Sequence, residues 1–292
     1  MPYLLIEGEY RIIGGAPDGD SIRFYPRRTA RWEQLEALSK THRIRQNKDG
    51  GVQLRLDAID ALETHYTPGV SGASIEHQPL EYAHAARDAL LGFLGFEQVQ
   101  HGKDEKVMAS QPERVSGFVL SKFVDVYGRA VSFAYQGTPP ERDGGLVFVE
   151  DGLLSQSANH HLLAQGLVYP TYYSGLYFEL RRVFNAAVAS ARRGKGLWPQ
   201  DRTTQGFELK TVTTLNNRVV ILPKLFRRLS DYLELNQGSL SLSGLEAYLR
   251  ARNDEVVVLS RGQKTGLHFL VEVKGRKVRL KEPPENLMFL EK

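Results

Sequence analysis

The chain has 292 residues, of which 41% are apolar and 25% charged, and its formal net charge at pH 7 is +4. This composition is typical of a folded globular protein and excludes an intrinsically disordered chain. The absence of cysteine excludes a disulfide framework, a zinc–thiolate site and a thiol nucleophile.

Short apolar segments punctuated by turn residues predict a strand-rich first half, and longer segments with helical spacing predict helices between and after the strands. The predicted strands before residue 200 cover 3–13, 21–25, 52–59, 115–126 and 130–135. The predicted helices of that part cover 29–40, 80–94, 155–165 and 175–193. Beyond residue 204 we expect a hairpin over 207–222, helices over 223–235 and 243–252, and strands over 256–259, 267–273 and 277–280. The pattern predicts an α+β protein.

The length predicts about two domains, at roughly 150 residues for each. The segment 199–204 separates the two patterns and is the predicted boundary, giving domains 1–200 and 201–292. Residues 200–292 hold 16 Lys and Arg against 11 Asp and Glu, a balance of +5, whereas the preceding residues hold 22 and 23, a balance of −1. An anionic partner and an ordinary solvated surface both explain this basic excess.

No apolar run approaches the roughly 18 residues that a membrane-spanning helix needs. The apolar stretch at the N-terminus is short and has no basic segment before it, unlike a secretory signal. We therefore expect a cytoplasmic protein without a membrane partner.

A first candidate motif is Asp18-Gly19-Asp20, in which two carboxylates bracket a glycine just before a strand. Such a turn can make oxygen ligands converge on a hard cation. The alternative is an acidic turn that only caps the chain or faces solvent.

A second candidate is the segment from Arg55 to Thr64, which places a guanidinium within a strand and the carboxylates of Asp57, Asp60 and Glu63 at and past its end. Strict alternation puts Arg55 and Asp60 on opposite faces, so a shared site needs a bulge or the end of the strand between them. The alternative is a strand with ordinary outward-facing polar residues.

A third candidate is the turn Asp125-Val126-Tyr127-Gly128-Arg129, which presents an arginine beside an aromatic ring. Taken alone it is a common hairpin turn. Together the three segments supply what phosphodiester hydrolysis needs, because arginine forks can pair with phosphoryl oxygens and carboxylates can hold a hard cation or accept a proton from water.

The three segments, in this order, resemble the staphylococcal nuclease (thermonuclease) family over roughly residues 10–200. The similarity extends through the 80–94 helix, Ser157-Ala158-Asn159 and Gln165-Gly166-Leu167 to Lys195-Gly196-Leu197-Trp198. It implies a five-stranded OB-fold β-barrel with packed helices, followed here by a small α+β domain.

The resemblance implies a role for each of several residues of this chain. Asp20, Asp60 and the backbone carbonyl of Ala61 match the metal ligands, and Asp18 matches an acidic residue just outside them. Glu63 matches the general base, while Arg55 and Arg129 match the pair that stabilises the phosphoryl group. Tyr127 and Tyr172 match substrate-side tyrosines.

The implied activity is that of a metal-dependent endonuclease that hydrolyses DNA, RNA or both, with calcium as the metal and magnesium or another divalent ion as alternatives. A non-catalytic nucleic-acid or protein-binding module on the same barrel is the alternative function. Residues 201–292 lie outside the resemblance, and a protein partner or homo-oligomer contact is an alternative to substrate binding there.

Two departures from the family pattern bear on the site. The family usually has Thr-Pro after the second aspartate, whereas this chain has Ala61-Leu62. Between Asp20 and Arg55 lie 34 residues, more than is usual in the family, and the surplus around 26–50 contains the predicted 29–40 helix.

Overall fold

The structure is a computed structural model that describes residues 2–40 and 42–291. Thr41, which falls in the 26–50 insertion, lies outside the described residues. The strands are β1 (Tyr3–Arg11), β2 (Ser21–Pro26), β3 (Val52–Leu56), β4 (Ile59–Asp60), β5 (Glu97–His101), β6 (Val107–Gln111), β7 (Arg114–Val124), β8 (Ala130–Gln136), β9 (Leu146–Val147), β10 (Tyr169–Pro170), β11 (Tyr172–Tyr173), β12 (Phe207–Glu208), β13 (Glu255–Val258), β14 (Gln263–Gly266), β15 (Val271–Lys274), β16 (Lys277–Leu280) and β17 (Leu287–Phe289).

Nine α-helices occur in the described residues, with two short 3₁₀ turns at Trp198–Gln200 and Pro284–Asn286. The helices are α1 (Ala30–Ser39), α2 (Leu80–Leu94), α3 (Asp151–Ser155), α4 (Ala158–Gln165), α5 (Phe178–Ala191), α6 (Val212–Arg218), α7 (Pro223–Leu235), α8 (Leu245–Arg252) and α9 (Leu267–Leu270). Within residues 2–40 and 42–291, no helix has the length and apolar content needed to cross a membrane. The helices predicted over 29–40, 80–94 and 175–193 are confirmed by α1, α2 and α5.

Five strands of the first compact unit, residues 1–57 and 86–162, close into a barrel in the order β1-β2-β3-β8-β7. The ring closes because β1 pairs with both β2 and β7. Every pair in the ring is antiparallel except β3 with β8, which is parallel. The predicted α+β class with a closed five-stranded barrel is therefore confirmed, and the barrel is compatible with an OB-fold-like architecture.

The barrel requires a close approach of backbones at Gly8 of β1 and Gly117 of β7, which are register partners. A Cβ atom on Gly8 would lie 2.1 Å from the carbonyl oxygen of Tyr25, and one on Gly117 would lie 2.4 Å from that of Tyr135. Since a backbone carbonyl cannot move aside as a flexible side chain can, glycine is needed at both positions.

Buried polar bonds from α4 fix the end of β3 and the middle of β8. The side-chain amide of Asn159 donates to the carbonyls of Asp57 and Ser132, at 2.8 and 3.1 Å, and its oxygen accepts the N–H of Ala134 at 3.1 Å. Asn159 is fully buried. One side chain thus satisfies three backbone groups inside this unit.

We expect Asn159→Ala to lower the free energy of unfolding by about 3 kcal/mol, because it removes three hydrogen bonds to buried backbone groups. Urea unfolding followed by circular dichroism measures the change. Asn217→Ala, at an exposed position of α6, is the matched control and should shift stability by less than about 0.5 kcal/mol. Equal effects of the two substitutions would contradict the assigned role of Asn159.

The second compact unit comprises residues 58–85 and 163–292. Its strands form a four-stranded sheet in the order β11-β17-β13-β14, a three-stranded sheet in the order β12-β16-β15, and the pair β4–β10. Helix α7 starts at Pro223, a residue suited to the first helical position, and buries Leu225, Phe226, Leu229 and Leu233. The boundary predicted at residue 200 does not coincide with this division into compact units, and the two-domain organisation stays a prediction.

The predicted hairpin over 207–222 is wrong. Only Phe207–Glu208 forms a strand there, and Val212–Arg218 forms α6. The hydroxyl of Thr211 accepts the backbone N–H of Thr214 at 2.9 Å, which is the hydrogen bond of a helix N-cap. Asn216-Asn217 consequently lies within the helix, not in a turn. The strand predicted over 267–273 is also shortened, because the helical turn α9 precedes β15.

Candidate functional site

Asp20 and Arg55 lie side by side in the first unit. Ser21, at the start of β2, is the register partner of Arg55 on β3, and the carbonyl of Asp20 accepts the N–H of Leu56 at 2.8 Å. The Arg55 Nη1 and Asp20 Oδ2 atoms are 2.9 Å apart, and each side chain is 13% exposed. The two charged side chains are therefore neighbours, and their roles as metal ligand and phosphoryl-binding group stay predictions.

Asp18 is the other acidic residue of the first motif. Its carbonyl oxygen lies 3.5 Å from the N–H of Ser21, which closes the turn that leads into β2. The residue is half-buried. Its side chain belongs to the same turn as Asp20, as the resemblance implies, and its supporting role stays a prediction.

In the turn between β7 and β8, Asp125 holds the backbone and the side chain of Arg129. Asp125 accepts the N–H of Arg129 at 2.9 Å, and its second oxygen accepts the Arg129 Nε at 2.7 Å. Tyr127 is 71% exposed, and the Arg129 guanidinium carbon lies 5.3 Å from the centre of its ring. An exposed aromatic ring beside a guanidinium suits stacking against a nucleobase.

The insertion packs against this turn within the first unit. The N–H of Arg45 donates to the carbonyl of Gly128 at 2.9 Å. Gly128 has a φ of +80°, and a Cβ there would lie 2.8 Å from the Arg45 nitrogen. A glycine is therefore required where the insertion meets the arginine turn.

The barrel register places Arg55 and Arg129 near the start of the β3–β8 pairing. Arg55 of β3 is the parallel partner of Val131 of β8, and Arg129 precedes Val131 by two residues. Arg129 lies in the turn just before β8, which begins at Ala130, and Ala130 is the register partner of Leu54, the residue before Arg55. The two arginines are therefore close in strand register, and their shared role in stabilising a phosphoryl group stays a prediction.

Asp60 and Ala61 belong to the second unit. Strand β3 ends at Leu56, and Ala58 adopts a left-handed backbone with a φ of +69°, so strict alternation does not extend from Arg55 to Asp60. Asp60 then pairs with Tyr169 in the β4–β10 ladder. Asp60 is 1% exposed and Ala61 is 3% exposed.

Glu63 is held at its backbone by Gln78, a fully buried residue of the same unit. The N–H of Glu63 donates to the Gln78 side-chain oxygen at 3.3 Å, and the carbonyl of Glu63 accepts the N–H of Gln78 at 2.9 Å. The Gln78 amide also donates to the carbonyl of Ile221 at 2.8 Å. Gln78 therefore links the Glu63 segment to the start of α7.

Sequence reasoning missed Arg227 of α7, which contacts two of the predicted site residues. Its Nη1 and Nη2 atoms lie 3.3 and 2.9 Å from the two carboxylate oxygens of Asp60, and Nη1 also donates to Glu63 Oε1. We call Asp60, Glu63 and Arg227 the carboxylate–guanidinium cluster. The only sequence signal was the basic excess after residue 200, which does not single out one arginine.

The cluster is largely withdrawn from solvent. The side chains of Arg227, Glu63 and Asp60 are 24%, 14% and 1% exposed. Burial by itself lowers the pKa of Arg227, but the negative charges of Asp60 and Glu63 outweigh this and raise its pKa well above the ordinary value. Arg227 is therefore a permanent cation in this cluster.

Tyr172 is fully buried, and its hydroxyl donates to the side-chain oxygen of Asn185 at 2.6 Å. Burial raises the pKa of this tyrosine above its usual range. In this structure the ring packs inside the second unit and is not exposed for stacking on a base. The substrate contact assigned to Tyr172 by the resemblance stays a prediction.

Raising the pH above about 10 is expected to destabilise the protein, because unfolded tyrosine ionises near pH 10 while several folded tyrosines resist ionisation. Burial and the neighbouring Asp231 carboxylate raise the pKa of Tyr248 to about 12, and the same two causes raise that of Tyr66. The stabilisation is present below the unfolded pKa and is lost as pH rises through the folded pKa. Urea midpoints should change little between about pH 8 and 9 and should fall from about pH 10 to 12, less steeply for Tyr248→Phe.

The donor set does not fit a bound calcium ion as the residues are placed. Calcium takes roughly six to eight oxygen ligands, whereas the carboxylate of Asp60 faces Arg227 and that of Asp20 faces Arg55. Across residues 2–40 and 42–291, no three carboxylate or imidazole side chains are grouped so that they could hold one metal ion. No catalytic step is therefore assigned to a metal, and calcium dependence stays a prediction.

No protein-family model and no curated protein sequence matches the chain. Membership of the thermonuclease family consequently stays a prediction that rests on the ordered motifs.

Proposed function

We propose that the protein is an endonuclease that hydrolyses phosphodiester bonds of DNA, RNA or both. The observation that carries this proposal is the position of Arg55 on β3 and of Arg129 in the turn just before β8, the strand that pairs with β3 in the closed barrel. Two guanidinium groups that are close in strand register suit a phosphodiester, whose transition state gathers negative charge on the phosphoryl oxygens.

In this proposal Arg55 and Arg129 stabilise the phosphoryl oxygens, and Glu63 accepts a proton from the attacking water. Arg129 must exchange its bond to Asp125 for a phosphoryl oxygen, and Glu63 must part from Arg227 before it can accept a proton. Tyr127, exposed beside Arg129, would stack on the base next to the cleaved bond. The five-stranded barrel is compatible with an OB-fold, and this supports the same partner, since OB-fold barrels commonly bind oligonucleotides.

The test is cleavage of single- and double-stranded DNA and RNA by the purified full chain, in calcium, in magnesium and in a chelator. Glu63→Gln should lower the cleavage rate by about 10²–10⁴, the usual contribution of a general base. Glu246→Gln, at an exposed glutamate of α8, is the matched control and should leave the rate unchanged. Equal cleavage by wild type and Glu63→Gln would reject the role of Glu63.

A non-catalytic nucleic-acid-binding module is the second candidate. The observation that favours it is that Arg55, Arg129 and Glu63 each form an ion pair within the protein. Tight, salt-dependent binding of an oligonucleotide without cleavage in any divalent ion would select this function. Cleavage that is lost in Glu63→Gln would exclude it.

A further inference from the structure

One guanidinium neutralises two acidic side chains in the second unit. The fork of Arg227 spans both oxygens of Asp60, and one of its nitrogens also donates to Glu63. A planar fork matched to a carboxylate in this way is the strongest common form of ion pair. Asp60 is almost completely buried, so this pair is shielded from screening by water and salt.

A divalent cation at Asp60 would need the same carboxylate oxygens. Calcium binds carboxylate oxygens directly, at roughly 2.3–2.6 Å, and the Arg227 nitrogens already lie at hydrogen-bond distance from both of them. A dication placed there would also be repelled by the guanidinium at short range. The two cations are therefore alternative occupants of this carboxylate.

Arg227 lies beyond the part of the sequence that resembles the thermonuclease family. Arg227 lies on α7, in the part of the chain that has no counterpart in the thermonuclease pattern, whereas Asp60 and Glu63 lie within that pattern. Gln78 bonds to both the Glu63 backbone and the carbonyl of Ile221, just before α7. The segment carrying the acids and the helix carrying the cation are thus tied together.

We propose that Arg227 is the built-in counter-ion of Asp60 and Glu63 and that it excludes a divalent cation from these carboxylates. The inference rests on the geometry of three side chains and does not require the proposed nuclease activity. It makes Arg227 the residue that decides which cation, internal or external, the carboxylates hold.

The test is calorimetric titration of the full-length protein with calcium, in parallel with thermal unfolding with and without calcium. Wild type should show no calcium binding that depends on Asp60, meaning that its titration matches that of Asp60→Asn. Arg227→Gln should gain calcium binding with a Kd of roughly 10⁻⁴–10⁻³ M, the weak range of protein calcium sites. It should also show a calcium-dependent rise in Tm. Both gains should be absent from the double variant Asp60→Asn/Arg227→Gln.

The matched control is Arg250→Gln, which removes an exposed arginine paired with Glu246 on α8 and should gain no calcium binding. Wild-type calcium binding that disappears in Asp60→Asn would overturn the proposal, as would a folded Arg227→Gln that binds no calcium. If Arg227→Gln does not fold, the comparison of wild type with Asp60→Asn decides alone: matching titrations support exclusion and differing ones refute it. Because no nucleic acid is present, failure here leaves the nuclease proposal standing, and absence of cleavage leaves this one standing.

Discussion

Arg227→Met is expected to lower the free energy of unfolding by about 3 kcal/mol or more, because it leaves the buried Asp60 carboxylate without its guanidinium. Methionine keeps much of the length of the arginine stem, so the lost ion pair and not a cavity dominates the effect. Asp60 is 1% exposed, and water cannot replace the missing donors easily. Urea unfolding of the full chain at neutral pH in a chelator measures the change.

Two further variants isolate the ion pair from other consequences of the substitution. Arg250→Met removes an exposed arginine that pairs with Glu246 four residues earlier on α8, and it should shift stability by only about 0.3–0.5 kcal/mol. Asp60→Asn/Arg227→Met should recover part of the loss, since the buried negative charge that Arg227 neutralised is removed as well. A double variant no more stable than Arg227→Met alone would show that the interaction with Asp60 is not the source of the effect.

Arg129→Ala is expected to lower kcat/KM for nucleic-acid cleavage by about 10²–10³, the usual loss when one donor to a developing oxyanion is removed. The guanidinium is held at the turn by Asp125 and is 31% exposed, so it is ordered and still accessible to substrate. Arg129→Lys should recover only part of the rate, because an ammonium cannot donate two parallel hydrogen bonds. Initial rates on one oligonucleotide give the comparison.

Arg114→Ala is the matched control for this loss. Arg114 lies at the start of β7 in the same unit, is 60% exposed and pairs only loosely with Glu9 at 3.4 Å. Its substitution should leave kcat/KM within about twofold of wild type, as expected for a surface residue outside the site. A similar loss in both variants would assign the effect to general positive charge and not to Arg129.

Local sequence patterns were sufficient to predict many of the strands and helices of the first compact unit. Apolar alternation gave strands that correspond to β1, β2, β3, β7 and β8, and helical spacing gave α1 and α2. The hairpin predicted over 207–222 failed because the pattern of short apolar segments does not reveal that Thr211 caps a helix at Thr214. A single side-chain hydrogen bond outweighed the turn preference of Asn216-Asn217.

The residues of the candidate site were likewise predicted from the sequence only in part. Arg55 and Asp20 were predicted to act together from motif order, and the register of β2 with β3 makes them neighbours. Nothing local marked Arg227, because its partners Asp60 and Glu63 lie more than 160 residues away in sequence. The burial of Tyr172 could not be predicted from the sequence either, since an aromatic residue has the same local pattern whether it packs in a core or faces a ligand.

The sequence by itself determined which residue types are available: carboxylates and arginines in three short motifs, no cysteine, and an apolar pattern that favours α+β structure. Only the tertiary structure decided which opposite charges meet. Charged side chains pair with whatever partner folding brings within a few ångströms, and that proximity is set by strand register and helix packing over long sequence separations. For Asp60 and Glu63 the partner is Arg227, a residue of α7.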